Sequence, residues 1–331
     1  MTPARSPRSG SPPPASAAKV TGEVLCVGEV LWDSLPEGLF LGGAPFNVAC
    51  HLRATGTAVS MVSRVGDDRL GEEVLRRAVR YGVGTDLIQV DPELATGFVR
   101  VHVDERGNGS YEICEPVAWD AIEATEALLA RAARARAIVF GTLAQRSATT
   151  RATIERLWTV AARDTLMVFD VNLRPPYEDV DTVRASLATA DVVKLSEDEL
   201  VRLSEWFGWD DGGQPEMMRG LAREFGCGVV CVTRGSHGAA LLNDGELSEH
   251  PGFPAEVRDT VGAGDAFLAV LLSGLLAGSS DAELLQHANL MGAYVVTQFG
   301  ALPADQGAAV APPEGPTPSP RPRARHVKRR R

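Results

Sequence analysis

The sequence has few cysteines, and none is spaced for a covalent or metal-held fold. Cys26, Cys50, Cys114, Cys227 and Cys231 are odd in number and form no Cys-x-x-Cys pair, which argues against a disulfide framework and against a cysteine zinc site. No apolar run is long enough to cross a bilayer. The segment MTPARSPRSGSPPPASAAK carries basic residues without the apolar stretch that marks a secretory leader. A soluble, non-secreted protein of the reducing cytoplasm, with no membrane partner, is expected. Two nucleotide-binding patterns are also missing: there is no GxxxxGK[ST] and no strand-linked GxGxxG, which argues against P-loop and dinucleotide folds.

What is present is enough for a large core. The chain has 331 residues, of which 44% are hydrophobic and 23% charged, and can bury a single large α/β domain with a small appendage. Charge is unevenly spread. Residues 1–20 and 304–331 together carry +8, so the rest of the chain carries −18 of the total −10. An acidic body argues against a nucleic-acid groove on it. The tails, 1–22 and 304–331, are rich in Pro, Ser, Ala and Arg and too poor in apolar residues to offset the entropy of ordering, so disorder is expected there. The ending RPRARHVKRRR reads as a solvated basic tail, and as the one segment able to hold an anionic polymer such as a nucleic acid.

Between the tails, over 23–303, apolar strand-like runs alternate with helical spacing. Runs at 24–30, 59–63, 137–141, 166–171, 191–195 and 228–233 are short, β-branched and almost uninterrupted, as strands buried on both faces of a parallel sheet are. Helical spacing falls at 45–55, 68–81, 120–135, 148–163, 179–189, 197–207 and 215–225. This alternation predicts a three-layer α/β/α sandwich with a mostly parallel sheet. Residues 96–115 differ: Val99, Val101, Val103, Tyr111 and Ile113 alternate around Glu105-Arg106-Gly107-Asn108-Gly109, the pattern of a hairpin with one exposed face. Two strands alone are not stable, so a small β lid packed on the body or on a second copy is expected.

Polar residues cluster just after the strand-like runs: Asp33, Gln145 and Arg146, then Asp170, Asn172 and Arg174, then Ser196 and Glu199, then Thr233 and Gly235. In an open α/β sheet such positions share the edge where ligands bind. The sharpest motif is DTVGAGDAF, 259–267. Gly262, Ala263 and Gly264 open a long apolar helix, so their amides are unpaired and suited to an anion. Asp265 in the first turn is placed to take a proton from an alcohol while those amides hold a transferred phosphoryl group. A glycine-rich helix start with a first-turn aspartate is also ordinary capping, so a second motif is needed. It is Gly42-Gly43-Ala44-Pro45-Phe46-Asn47: the glycines allow close approach of a ligand, and the Asn47 amide suits sugar hydroxyls.

Taken together and in this order, GGAPFN and DTVGAGDAF over residues 24–303 resemble the two signatures of the ribokinase-like (PfkB) carbohydrate kinases. The resemblance implies an ATP-dependent kinase acting on a small sugar. It implies sugar binding by Asp33, Gly42, Gly43, Asn47, Gln145 and Arg174, an anion hole at Gly262–Gly264, and Asp265 as the base. It implies nucleotide contacts at Lys194, Thr233, Gly235, Gly238, Gly264 and Asn289, and a K⁺ loop at Asp259 and the Val261 carbonyl. The family's Asn-x-x-Glu, which organises Mg²⁺ through water, is here Ser196-Glu197-Asp198-Glu199; Glu199 keeps the carboxylate, and the same four residues also spell a capping box. GEVLWDSLP, FGTLAQR, DVNLRPPY and the segment around Ala118-Trp119-Asp120 look most like bacterial fructokinases, with 2-keto-3-deoxygluconate and riboside kinases as alternatives. Some relatives bind without catalysing, which keeps a scaffold open as another class. A homodimer joined through the lid is expected.

Overall fold

A computed structural model describes residues 22–35, 38–103, 109–209 and 212–302. The two tails and residues 105–108 of the expected hairpin turn lie outside the described residues. In chain order the elements are β1 (Val24–Val27), β2 (Leu31–Leu35), β3 (Gly38–Gly42), α1 (Ala44–Ala54), β4 (Val59–Gly66), α2 (Arg69–Arg80), β5 (Ile88–Asp91), β6 (Gly97–Val103), β7 (Gly109–Ile113) and α3 (Glu126–Ala132). They continue with β8 (Ala137–Gly141), α4 (Ala148–Val160), β9 (Leu166–Asp170), α5 (Val180–Leu187), β10 (Val192–Ser196), α6 (Glu197–Phe207), α7 (Gln214–Phe225), β11 (Val229–Thr233), β12 (Ala239–Asn243), β13 (Glu246–His250), α8 (Ala263–Ala277) and α9 (Asp281–Val295).

Nine strands form one sheet in the order β13-β12-β11-β10-β9-β8-β1-β4-β5, parallel except for β12 and β13. Both faces are covered, which explains the uninterrupted apolar runs. Leu25, Ile138, Phe140, Met167, Phe169, Val193 and Val230 point into the layer with Leu128, Leu157, Leu187, Leu203 and Leu221 of α3–α7. Their neighbours Val24, Cys26, Val139, Val168 and Val192 point the other way, onto Phe46, Leu52, Val74 and Leu268 of α1, α2 and α8. Period-two alternation thus survives inside runs that are almost wholly apolar.

Three boundaries differ from the expectation. The run at 24–30 is not one strand: the chain turns at Gly28, φ 143°, against Pro45, and restarts as β2. The helix expected over 120–135 is a single turn at Ala118–Ala121 followed by α3, because buried Asp120 caps the Val117 amide at 3.0 Å and pairs with Arg146 at 2.8 Å. The hairpin of β6 and β7 is half of a second sheet, ordered β3-β2-β6-β7, in which β2 runs parallel to β6.

That second sheet is anchored where Gly97 opens β6: a Cβ there would lie 2.5 Å from Trp119 Nε1 and 2.6 Å from the Val30 carbonyl. Gly97→Ala is therefore expected to lower stability by about 1–3 kcal/mol through overpacking, and urea denaturation beside the exposed control Val79→Ala measures it.

Candidate active site

The parallel strands β1, β8, β9, β10 and β11 all end at one edge of the sheet, and the polar residues that follow them meet there. Across that edge lies the junction of α1 and α8. Pro45 at the start of α1 fits a helix's first turn, where its missing N–H costs nothing, and the helix turns Asn47 inward, 4% exposed. Gly262, φ 78°, is the cap of α8 and Asp265 lies in its first turn. Asn47 Nδ2 donates to Asp265 Oδ2 at 2.8 Å. The two motif segments, 218 residues apart in sequence, are thus joined by one bond between their most diagnostic side chains.

Lys194 extends from β10 beneath the start of α8; a Cβ on Gly264 would stand 3.0 Å from its Nζ. It pairs with Asp170 at the end of β9, 3.0 Å away, both side chains buried. Burial works against the Lys194 charge, but Asp170, Asp265 and Glu199 outweigh it and hold its pKa above the usual value. Burial lifts the Asp170 carboxyl to about 6 despite that lysine. Glu199 does close a capping box with Ser196: its oxygens accept the Ser196 amide and the Leu173 amide, each at 2.7 Å. With both oxygens engaged, Glu199 suits Mg²⁺ through water better than as a direct ligand.

On the lid side, Asp33 sits in β2 opposite Phe40 of β3 and Val99 of β6. Burial raises its carboxyl to about 6, with the Arg174 guanidinium opposing. Gly42 lies against it, since a Cβ there would be 3.0 Å from Asp33 Oδ2; Gly43 caps α1 with its backbone on Glu29. Exposed Arg174 thus faces the same end of the cleft as Asp33 and Glu29. Gln145 is not brought to this cleft. It is 1% exposed, and its amide donates to the Gly141 carbonyl at 2.8 Å and to Ser186 Oγ at 3.0 Å, inside the fold.

On the far side of Gly264 a cavity of about 300 Å³ is lined by Thr233, Gly235, Gly238, Gly264 and Asn289, five of the six expected nucleotide contacts, together with the apolar walls of Phe253, Val257 and Val296. Asn289 donates to the Leu285 carbonyl at 2.7 Å, which leaves its amide oxygen and its second N–H available. Asp259 accepts the Val261 amide at 3.0 Å and the Gly300 amide at 2.9 Å. It thereby stitches together the two segments assigned to a monovalent cation, with its carboxylate already engaged.

Glu29 was not among the expected site residues. It follows β1, is 3% exposed, and lies near both Asp265 and Arg174; burial pushes its carboxyl up to about 7. Glu29 Oε2 and Asp170 Oδ2 are both buried without a partner among the described residues and line one small cavity.

A cavity of about 300 Å³ beside Gly264, with the Asn47–Asp265 pair at the start of α8, fits an ATP-dependent sugar kinase. The comparisons agree: the chain belongs to the pfkB family of carbohydrate kinases, whose family pattern matches residues 38–306. It is 30% identical over 304 residues to a fructokinase of Klebsiella pneumoniae, covering 86% of this chain and 96% of that one. Among solved structures it resembles a sugar kinase of Pyrococcus horikoshii in complex with ATP, at 28% identity and TM-score 0.71, covering 84% of this chain and 93% of the other. It also resembles a fructokinase of Vibrio cholerae bound to fructose, ADP and calcium, at 26% identity and TM-score 0.72, covering 85% and 95%. These likenesses bear out the ribokinase-like α/β fold. No helix among the described residues is long and apolar enough to cross a membrane.

Glu29 yields a pH prediction. Its carboxyl is raised from 4.5 to about 7 on folding, so the unfolded chain loses this proton first as pH rises, and its stabilising contribution is lost between those values. The difference corresponds to about 3 kcal/mol. Glu29→Gln is expected to flatten the fall in stability between pH 4.5 and about 7 seen by urea denaturation; an unchanged slope refutes the assignment.

Proposed function

We propose that this sugar kinase is a fructokinase, transferring the γ-phosphoryl group of ATP to a hydroxyl of fructose with Asp265 as general base. The observation that carries the mechanism is the 2.8 Å bond from Asn47 to Asp265. Asn47 occupies one Asp265 oxygen and orients the carboxylate, leaving the other oxygen for the substrate hydroxyl. There it takes the hydroxyl proton as the sugar oxygen forms its bond to the γ-phosphorus and the bond to the β,γ-bridging oxygen breaks, releasing ADP. The amides of Gly262, Ala263 and Gly264, at the positive end of α8, hold the charge on the phosphoryl oxygens, and Lys194 beneath Gly264 adds a fixed positive charge.

Asp33, Gly42, Gly43 and Asn47 would hold the sugar; Thr233, Gly235, Gly238 and Asn289 would hold the nucleotide. Mg²⁺, carried on the ATP phosphates, would neutralise their charge, with Glu199 meeting it through water. K⁺ would sit at the Val261 carbonyl beside the Asp259 stitch. Fructose is supported by the fructokinases among the relatives. Arg174, exposed beside Asp33, favours an acid sugar such as 2-keto-3-deoxygluconate as the second reading, since a guanidinium pairs well with a substrate carboxylate. The lid edge exposes Leu39, which supports pairing with a second copy there.

Asp265→Asn is expected to cut sugar-dependent ADP formation by about 10²–10⁴-fold with little change in ATP affinity; full activity would sink the base assignment and favour a binding-only role for that residue. A panel of fructose, ketodeoxygluconate and a riboside with Mg-ATP decides the sugar, and fastest turnover of either alternative overturns fructose.

A further inference from the structure

Asn47 and His51 are four residues apart on α1 and so share a face of the helix. One turn after Asn47 grips Asp265, His51, 2% exposed, places its Nε2 at 3.0 Å from the Ala301 carbonyl. A carbonyl only accepts, so Nε2 carries the hydrogen and the imidazole is the donor. Burial holds the His51 pKa below its usual value, which keeps the ring neutral and makes its N–H, not a charge, the useful group.

Ala301 is not a neutral anchor. It packs on Gly262: a Cβ on that glycine would fall 2.4 Å from the Ala301 Cβ and 2.5 Å from its Cα. Ala301 is therefore the surface on which the start of α8 rests, an approach that only a glycine at 262 permits. The loop that carries Ala301 is held on one side by Asp259, through the Gly300 amide, and on the other by His51. Remove the second hold and Ala301 is free to shift beneath the amides of Gly262–Gly264, while Asp265 stays tied to Asn47.

We propose that His51 is a positioning residue of the phosphoryl-transfer site, setting the anion hole against the base through its N–H bond to Ala301. It touches neither sugar nor nucleotide. The inference rests on the reading of Asp265 as base and Gly262–Gly264 as anion hole. A misplacement of this kind lowers the rate of the chemical step and leaves binding alone. His51→Leu, close in volume and without a donor, is expected to lower kcat by about 10–100-fold at unchanged KM for ATP and sugar, whereas His51→Gln, whose amide reaches the same carbonyl, restores most of it. Unchanged kcat in His51→Leu, or equal losses in His51→Leu and His51→Gln, overturns the proposal. If His51→Leu does not fold, His51→Asn, whose amide falls short of Ala301, takes its place with the same expectation and the same refuting result. Asp265→Asn run in parallel separates the two readings: an active Asp265→Asn defeats the base assignment, whatever His51 does. A crystal structure of the donor-less variant gives a readout independent of turnover. Displacement of residues 299–301 and of the Gly262–Gly264 amides is expected, and an unmoved backbone overturns the proposal.

Discussion

The site depends on the way α1 and α8 are held together. Their contact is apolar along most of its length, with Phe46, Ala49 and Leu52 clustered with Leu268, Ala269 and Leu272, and polar where Asn47 meets Asp265. Burial of a side chain such as Leu268 contributes about 1.5–3 kcal/mol, and several of them fix the crossing of the two helices before any polar group is considered. The Asn47 bond adds little to that total. What it does is choose one orientation of a carboxylate that the packed helices have already brought to the cleft.

That division of labour explains why the chemistry lies on helix starts and strand ends rather than on the second sheet. The parallel strands end in register, so Asp170 and Lys194, which are direct partners across β9 and β10, present their side chains side by side. On the proposed mechanism the anion hole takes its donors from the first turn of α8, where the Ala263 amide is tied only by a long bond, 3.4 Å, to the Thr260 carbonyl. The second sheet, in contrast, brings Asp33 and Gly42 from two strands, β2 and β3, that pair with one another, so these two residues are positioned as a unit.

Much of this was legible in the sequence, and the omissions have physical causes. Runs such as AIVFG at β8 end where a buried strand must end, and Gly262-Ala263-Gly264 marks a helix start by composition alone. β2 and β3 are not legible in this way: Leu31–Leu35 holds Asp33 and Ser34, and Gly38–Gly42 is bounded by glycines, so neither shows the period of a strand. β12 and β13 did carry a signal. Asp244 and Gly245, both at positive φ, form the two-residue hairpin turn that Asp-Gly favours, although Glu246–His250 lacks apolar alternation. Glu29 is hidden because it stands inside VLCVGEV, where a charged residue reads as a strand edge; only the turn at Gly28 reveals that it faces the cleft. Gln145 is the opposite case, since a polar residue after a strand turned out to satisfy its own fold.

Electrostatics is where burial and function press against each other most. Glu29, Asp33, Asp170 and Asp265 surround the cleft, with Lys194 and Arg174 as the nearby cations, in a protein body that is itself strongly acidic. A polyphosphate entering such a field would be repelled if every carboxyl were ionised at full strength. Burial relieves this only in part: it raises Glu29 to about 7 and both Asp33 and Asp170 to about 6, so near neutrality the Glu29 charge is partly absent while Asp33 and Asp170 stay largely ionised. The remaining attraction has to be local. On the proposed mechanism it comes from the amides at the start of α8 and from Lys194, whose ammonium the surrounding carboxylates keep protonated. The carboxylates thus hold the buried Lys194 charged, and on the proposed mechanism the same crowding would make its loss more damaging to nucleotide binding than the removal of one charge alone implies.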